Sequence, residues 1–164
     1  MITTDEKIKD EVNIGISAKN REAIANALSK VLADSYMLYL KTHNYHWNVT
    51  GKLFHSLHEL FEAQYSELAE AVDLIAERIR ALGFRAPGTF SEYRELTSIE
   101  EDSDQPDALK MVRRLVEGNE QLLRTAREAL KPAKNGEDEA TIDLLTMRLS
   151  THSKTAWMLR SHLE

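Results

Sequence analysis

Apolar residues recur at intervals of three and four along most of the chain, the spacing of one buried face of an α-helix. The clearest stripe consists of Leu57, Phe61, Tyr65, Leu68, Val72, Ile75, Ile79 and Leu82. It predicts one long helix between Gly51 and Gly83. An earlier stripe consists of Ile24, Ala27, Leu28, Val31, Leu32 and Leu38. The helix that it predicts is capped by Ser17 or Asn20 and runs to about Asn48.

Two further stripes follow in the C-terminal half of the chain. They consist of Leu109, Val112, Val116, Leu123, Ala126 and Leu130, and of Leu145, Leu149, His152, Ala156, Leu159 and Leu163. The first predicts a third helix that starts near Ser103 or Asp104, has Pro106 in its first turn and ends before Pro132. The second predicts a fourth helix after Gly136.

Residues 84–104 connect the second and third predicted helices. They contain Pro87-Gly88 and several polar clusters, within which the segment SEYREL can form one short helix. Four long helices with a long second connection match a bundle in which one crossover spans the length of the bundle. The ferritin-like topology has this feature, and so do some other four-helix bundles. We therefore predict an all-α four-helix bundle with a short helix in the long connection.

The composition agrees with one helical domain covering residues 1–164, because 42% of the residues are apolar and all three prolines lie beyond residue 86. The absence of Cys leaves His and carboxylates as the ligands for any metal. No apolar run approaches the roughly 20 residues of a membrane span. The N-terminus shows no secretion signal, so we expect a cytoplasmic protein without membrane contact. The net charge of −6 favours cations as partners over DNA phosphates.

Two pairs of potential metal ligands share one face of the second predicted helix. At about 100° per residue, His58, Glu62, Asp73 and Glu77 lie within roughly 100° of one another around the helix axis. A solvated charged face is the plainer explanation for any single member. However, His58 and Asp73 are about 22 Å apart along a helix, so one ion cannot contact both pairs of the same chain.

An antiparallel copy of the same helix would bring the two pairs together. If a twofold axis passes near residues 67 and 68, His58 and Glu62 of one chain face Asp73 and Glu77 of its mate. His46, near the end of the first helix, is placed to approach His58. Two imidazoles and three carboxylates with space for water suit iron, manganese or zinc.

The remaining histidines are assigned plainer positions. We expect His43 and His55 at the surface. His152 lies within the apolar stripe of the fourth helix, where a histidine is more often a hydrogen-bonded core residue than a ligand.

The arrangement of these residues resembles the ferroxidase signature of the DNA protection during starvation (Dps) miniferritins. The matching segments are His46-Trp47-Asn48-Val49-x-Gly51, His58-x-x-x-Glu62 and Asp73-x-x-x-Glu77-Arg78, together with PGTFSEYREL and AWMLR. The resemblance implies a hollow homododecamer that oxidises ferrous iron at twofold interfaces, preferably with hydrogen peroxide, and stores ferric mineral. It assigns the iron ligands to His46, His58, Glu62, Asp73 and Glu77. The Glu-x-x-His pattern of the larger ferritins is absent from this sequence.

The resemblance also implies roles for three further residues. Glu139 and Asp143 match acidic residues that line a threefold pore through which ions pass, although an acidic first turn that stabilises the helix explains them equally well. Trp47 matches an indole that intercepts one-electron intermediates beside the iron site. Ordinary packing at an interface explains Trp47 at least as well.

DNA binding in this family usually depends on a flexible basic extension. Residues 1–16 are expected to be flexible here, but they carry two lysines, Lys7 and Lys9, against four acids. We therefore expect DNA binding to be weak or absent. Two alternatives to an iron-oxidising storage enzyme remain: a DNA-compacting structural protein with the same fold, and a bundle whose acidic face is merely solvated.

Overall fold

The structure, a computed structural model, describes residues 12–164. This part of the chain forms α1 (Ala18–Asn48), α2 (Phe54–Ala81), α3 (Phe90–Leu96), α4 (Ala108–Asn135) and α5 (Glu139–Arg160). Helix α1 packs against α2 and α4, α5 packs against α4, and the short α3 contacts α1. The predicted all-α bundle with a short helix in its long connection is confirmed. Within residues 12–164, no helix is both long and apolar enough to span a bilayer.

The first two helices begin and end where the sequence predicts. The Ser17 hydroxyl caps α1 by accepting the backbone N–H of Asn20 at 3.3 Å. After Asn48 the chain turns at Gly51, whose φ of 101° is a conformation that side chains disfavour. Gly83, with a φ of 91°, ends α2 in the same way.

Helix α4 begins later than predicted, so the expected start near Ser103 or Asp104 is wrong. Asp107 is the cap, and its carboxylate accepts a backbone N–H of the first turn at 2.9 Å. Asp104 is instead paired with the guanidinium of Arg114 at 2.5 Å. Pro106 therefore precedes the cap rather than standing in the first turn.

The predicted end of this helix before Pro132 is also wrong, because α4 continues to Asn135. A proline in a helix interior lacks the N–H donor and costs about 3 kcal/mol. Here the following Ala133 is fully buried in the core. The carbonyls of Pro132 and Ala133 accept the backbone N–H groups of Gly136 and Asp138, each at 3.0 Å. Packing and these closing hydrogen bonds outweigh the local preference against proline.

The core consists of two apolar clusters, one in each half of the bundle. Leu32 and Ile79 belong to one cluster, and Leu38 and Phe61 belong to the other. Helices α1 and α2 contribute to both clusters, so α2 is held along its whole length. Its outer face is consequently presented as one rigid surface.

The predicted flexible extension, residues 1–16, lies mostly outside the described residues. Residues 12–16 precede α1 without forming a helix. Within this short stretch, Ile16 packs against the core, and its carbonyl accepts a hydrogen bond from Arg21 at 3.3 Å. The extension as a whole stays a prediction.

Candidate metal-binding site

His46 in the last turn of α1 and His58 near the start of α2 form a stacked pair. Their ring centroids are 3.8 Å apart, and the ring planes differ by 19°. Each Nδ1 lies 2.8 Å from the backbone carbonyl oxygen of the other histidine. A carbonyl oxygen can only accept, so each Nδ1 carries a proton, which leaves Nε2 as the ring nitrogen available to a metal. This reciprocal bonding fixes the orientation of both imidazole rings in the manner of metal-binding histidines.

Glu62 follows His58 by one helical turn and lies on the same face of α2. His46 is 8% exposed, His58 is half-buried and Glu62 is exposed. Among residues 12–164, the Glu62 carboxylate has no hydrogen-bond or ion-pair partner. The face of α2 that carries His58 therefore also carries an unengaged carboxylate one turn further on.

Asp73 and Glu77 form the second set of candidate ligands, on the C-terminal half of α2. Both side chains are exposed. Within the described part of the chain, neither carboxylate takes part in a hydrogen bond or an ion pair. Two like charges at i and i+4 of a helix repel each other by a few tenths of a kcal/mol. An isolated chain gains no stability from this pair.

The structure brings His46 and His58 together, with Glu62 one helical turn from His58 on α2, but it leaves Asp73 and Glu77 apart. The separation of about 22 Å along α2 follows from the helical rise. Across residues 12–164 of one chain, no three His, Asp or Glu side chains are placed to hold a metal ion. One chain therefore supplies two incomplete ligand sets.

Arg78 follows Glu77 in the sequence motif but binds within its own chain. Its guanidinium donates to the Asp138 carboxylate at 2.7 Å and to the Thr141 hydroxyl at 2.9 Å. Burial opposes the ionisation of Asp138, but hydrogen bonds from Arg78 and Thr141 outweigh it and lower the pKa of this carboxyl. Because Asp138 caps α5, these bonds join the end of α2 to the start of α5.

Large apolar side chains are exposed beside both ligand sets. Trp47 is 61% exposed, Leu74 is 51% exposed, and the half-exposed ring of Phe54 lies 5.1 Å from the His58 ring. Exposed apolar groups next to polar ligands are typical of a surface that another molecule covers.

The other histidines follow the sequence prediction with one exception. His55 is exposed, as predicted. The expectation of a surface position for His43 is wrong, because it is half-buried, with its ring 4.0 Å from Trp47 and 4.2 Å from Tyr65. Trp47 lies one helical turn after His43 on α1, and Tyr65 lies on the facing helix α2. Both rings are therefore placed to pack against the His43 imidazole.

His152 is a buried core histidine, as predicted, in a network that sequence reasoning missed. Its Nδ1 donates to Asn119 at 2.8 Å, and its Nε2 accepts from Arg148 at 3.1 Å. Arg148 also binds the Glu67 carboxylate of α2 at 2.5 and 2.8 Å. Burial, and then the charge of Arg148, lower the pKa of His152 to about 3. The sequence did contain a signal for this network. Arg148 lies one turn before His152 on the apolar face of the helix, where a buried arginine needs polar partners.

The predicted pore residues Glu139 and Asp143 are exposed on the first two turns of α5. This position suits an ion path formed by several chains. It suits an acidic helix N-terminus equally well. The role stays a prediction.

Comparison with known proteins places the chain among ferritin-like proteins over most of its length. A family model described as a ferritin-like domain matches residues 25–164. The DNA protection during starvation protein 2 of Bacillus anthracis is 40% identical over 144 residues, which cover 88% of this chain and 98% of that protein. A low-temperature-induced protein of Nostoc, itself uncharacterised, is 41% identical over 155 residues, covering 93% of this chain and 87% of that protein. The crystal structure of a Dps protein from Vibrio cholerae, described as a member of a superfamily of ferritin-like diiron-carboxylate proteins, matches with a TM-score of 0.89 at 35% identity, covering 93% and 97% of the two chains.

Proposed function

Because the chain belongs to the Dps family of ferritin-like proteins, we propose that it oxidises ferrous iron and stores the ferric product. Hydrogen peroxide is the preferred oxidant in this proposal. The observation that supports it most strongly is the reciprocal hydrogen bonding of His46 and His58. Each Nε2 is left available as a ligand, and Glu62 follows one helical turn after His58. Imidazole and carboxylate ligands without thiolate suit ferrous iron, and zinc or manganese can compete for them.

The complete site is shared between two chains in this proposal. His46, His58 and Glu62 come from one chain, and Asp73 and Glu77 come from its twofold mate. Support comes from the separation of the two sets on α2 and from the exposed apolar side chains around them. The twofold axis passes near residues 67 and 68, and six such dimers form a closed dodecamer.

The protein groups have distinct tasks in this chemistry. The carboxylates concentrate ferrous ions and offset their charge, while the fixed imidazoles set the geometry and leave room for water or peroxide. Two ferrous ions supply the two electrons that, with two protons, convert one hydrogen peroxide molecule into two waters. Trp47, beside His46, is positioned to reduce one-electron by-products. Glu139 and Asp143 attract ferrous ions on their way to the interior.

Complementation between two inactive variants tests the shared site. One variant carries His58→Ala and Glu62→Ala, and the other carries Asp73→Ala and Glu77→Ala. In either assembly every site lacks two ligands, so rapid iron oxidation is lost. After co-refolding, a mixed dimer has one site without any of the four residues and one site with all of them. Random pairing makes about half of the dimers mixed, so about a quarter of the sites recover activity.

Native mass spectrometry of the refolded sample establishes whether mixed assemblies are present. As a matched control, the first variant is co-refolded with a variant that carries His58→Ala alone. Every site in this mixture lacks His58, so no activity should recover. Mixed assemblies as inactive as their parents would overturn the shared site. A dominant monomer at micromolar concentration would also overturn it.

DNA binding is not the function that we propose. The net-acidic residues 1–16 offer few contacts that release counterions from DNA. We expect little retention in gel shifts near physiological salt, and a salt-sensitive complex formed without added divalent metal would favour the DNA-compacting alternative.

A further inference from the structure

Four of the five tyrosines belong to one continuous row of rings that begins at the His46–His58 pair. The successive ring-centroid distances are 5.1 Å for His46–Tyr65, 6.1 Å for Tyr65–Tyr39, 5.8 Å for Tyr39–Tyr36 and 4.7 Å for Tyr36–Tyr93. Each distance lies within the roughly 4.5–7 Å of interacting aromatic pairs. The row therefore runs without a gap from α2, along α1, to Tyr93 of α3.

Helical spacing on α1 produces this row. Tyr36, Tyr39, His43 and Trp47 follow one another at intervals of three and four, so they form one stripe. The His43 ring lies 4.0 Å from Trp47 and 4.2 Å from Tyr65. Trp47 thereby joins the row as a side branch.

We propose that this aromatic row carries single oxidising equivalents away from the His46–His58 pair to the stacked Tyr36–Tyr93 pair beside α3. The proposal rests on the proposed iron oxidation only for its natural source of oxidant. Electron transfer weakens steeply with distance, so a row of adjacent phenols replaces one long step with several short ones. The metal ligands and their neighbours are then spared from irreversible oxidation.

The chemistry balances at every step. One ferrous ion that reduces peroxide by a single electron yields ferric ion, hydroxide and a hydroxyl radical. The radical removes a hydrogen atom from the Tyr65 phenol, giving water and a phenoxyl radical. Each transfer then returns a hydrogen atom to the oxidised phenol and takes one from the next, through Tyr39 and Tyr36. A soluble one-electron reductant, such as a thiol, restores the last phenol and is itself oxidised to a thiyl radical.

The hydroxyl groups of the row distinguish it from ordinary core packing. Tyr36, Tyr39 and Tyr65 are only half-buried. None of the four row hydroxyls has a hydrogen-bond partner among residues 12–164, and none is sealed from solvent. Each can therefore exchange its proton with water, as phenol oxidation requires. The fifth tyrosine, Tyr45, is 1% exposed, and its hydroxyl is bonded to Asp102, so it lies outside the row as a structural residue.

Pulse radiolysis of the iron-free assembly tests the row without any iron chemistry. Azidyl radicals oxidise indole faster than phenol, so tryptophan radicals form first. We expect a first-order conversion of tryptophan radical into tyrosyl radical, at a rate independent of protein concentration. Trp47→Phe should remove this phase. Trp157→Phe is the matched control, because Trp157 is 60% exposed and has no aromatic neighbour among the described residues, so the phase should persist.

Conservative tyrosine variants then locate the path. After peroxide and ferrous iron are added, peptide mapping should find oxidation at Tyr36 and Tyr93 in the wild-type assembly. Tyr39→Phe keeps the ring but removes the phenol, and it should lower oxidation at Tyr36 and Tyr93 by about tenfold, equivalent to about 1.4 kcal/mol in barrier. Tyr45→Phe removes a phenol outside the row and should leave that oxidation unchanged.

The outcomes separate this inference from the proposed function. Loss of the radiolysis phase in Trp47→Phe, with persistence in Trp157→Phe, supports the row even if the assembly fails to oxidise iron. If Tyr39→Phe leaves the oxidation of Tyr36 and Tyr93 unchanged while folding and assembly are intact, the row is not the path. Equal radiolysis phases in Trp47→Phe and the wild type overturn the Trp47 branch.

Discussion

The two ends of α2 carry the two candidate ligand sets of the proposed shared site, but the fold organises them to different degrees. At the N-terminal end, His58 is stacked on His46, and each imidazole is fixed by the backbone carbonyl of the other. At the C-terminal end, Asp73 and Glu77 are exposed and have no polar partner among residues 12–164. The chain thus builds one half of the site before any ion binds. It leaves the other half as two exposed carboxylates that no polar contact within residues 12–164 orients.

At the C-terminal end of α2, the backbone is anchored although the candidate ligands have no polar contacts within residues 12–164. Arg78 ties the end of α2 to Asp138 and Thr141 of α5, so the helix that carries Asp73 and Glu77 is fixed. No hydrogen bond or ion pair within residues 12–164 holds the two carboxylates in one rotamer. Substitutions at the two ends should therefore affect stability and iron chemistry in different proportions.

The largest effect is expected from neutralising the free carboxylates. Asp73→Asn together with Glu77→Gln should lower the initial rate of iron oxidation by roughly 100-fold. The free energy of unfolding should remain unchanged or rise by a few tenths of a kcal/mol, because a like-charge pair at i and i+4 is removed. Stopped-flow absorbance and urea unfolding measure the two quantities.

Glu95→Gln together with Glu128→Gln removes the same charge from exposed positions elsewhere and serves as the control. If both double variants slow oxidation equally, general surface charge rather than ligation determines the rate.

The organised end should respond differently, with a loss of stability as well as of activity. His58→Ala removes a hydrogen bond and a stacked ring, and it leaves the His46 carbonyl without its donor. We expect the free energy of unfolding to fall by about 1–3 kcal/mol. Urea unfolding of the iron-free protein checks this. A variant as stable as the wild type would show that the histidine pair is not preorganised, and the contrast with Asp73 and Glu77 would disappear.

Sequence reasoning predicted the parts that repeat with the helical period and missed those that depend on long-range contacts. The stripes identified every long helix, and the spacing from His58 to Asp73 showed that one ion cannot contact both pairs of the same chain. The reciprocal bonds between His46 and His58 join residues twelve apart across a turn, so no periodic pattern encodes them. The continuation of α4 through Pro132 depends on packing around Ala133, which outweighs the residue's own preference.

His152 lies in a third kind of environment, because it is buried, hydrogen-bonded and next to the guanidinium of Arg148. Its folded-state pKa of about 3 lies below the ordinary value of 6.5. Below about pH 6.5 the unfolded chain therefore binds a proton that the folded chain does not. This group should lower stability by about 1.4 kcal/mol per pH unit as the pH falls from about 6.5 towards 3, and it should contribute no slope above that window.

His152→Asn retains a polar side chain but cannot take up the proton, so the difference between wild type and variant isolates this group from other titrations. Urea unfolding between about pH 7 and pH 5 measures it. Parallel pH profiles for the two proteins would mean that His152 is as easily protonated in the folded chain as in the unfolded one.

The smallest effect is expected at Glu62, which belongs to the organised end by position but to the free carboxylates by its lack of contacts. Glu62→Asp retracts the carboxylate by one methylene and keeps its charge. Since Glu62 is exposed and unpartnered among the described residues, the free energy of unfolding should change by less than about 0.5 kcal/mol. Because the carboxylate and its charge are kept, oxidation should persist, with ferrous affinity changed by less than about tenfold, or about 1.4 kcal/mol. Anaerobic ferrous titration measures the affinity.

Glu62→Gln preserves the length of the side chain but removes its charge, and it should weaken ferrous binding more than Glu62→Asp does. If Glu62→Gln binds ferrous iron as tightly as the wild type, Glu62 is not a ligand, and the organised end consists of the two histidines alone.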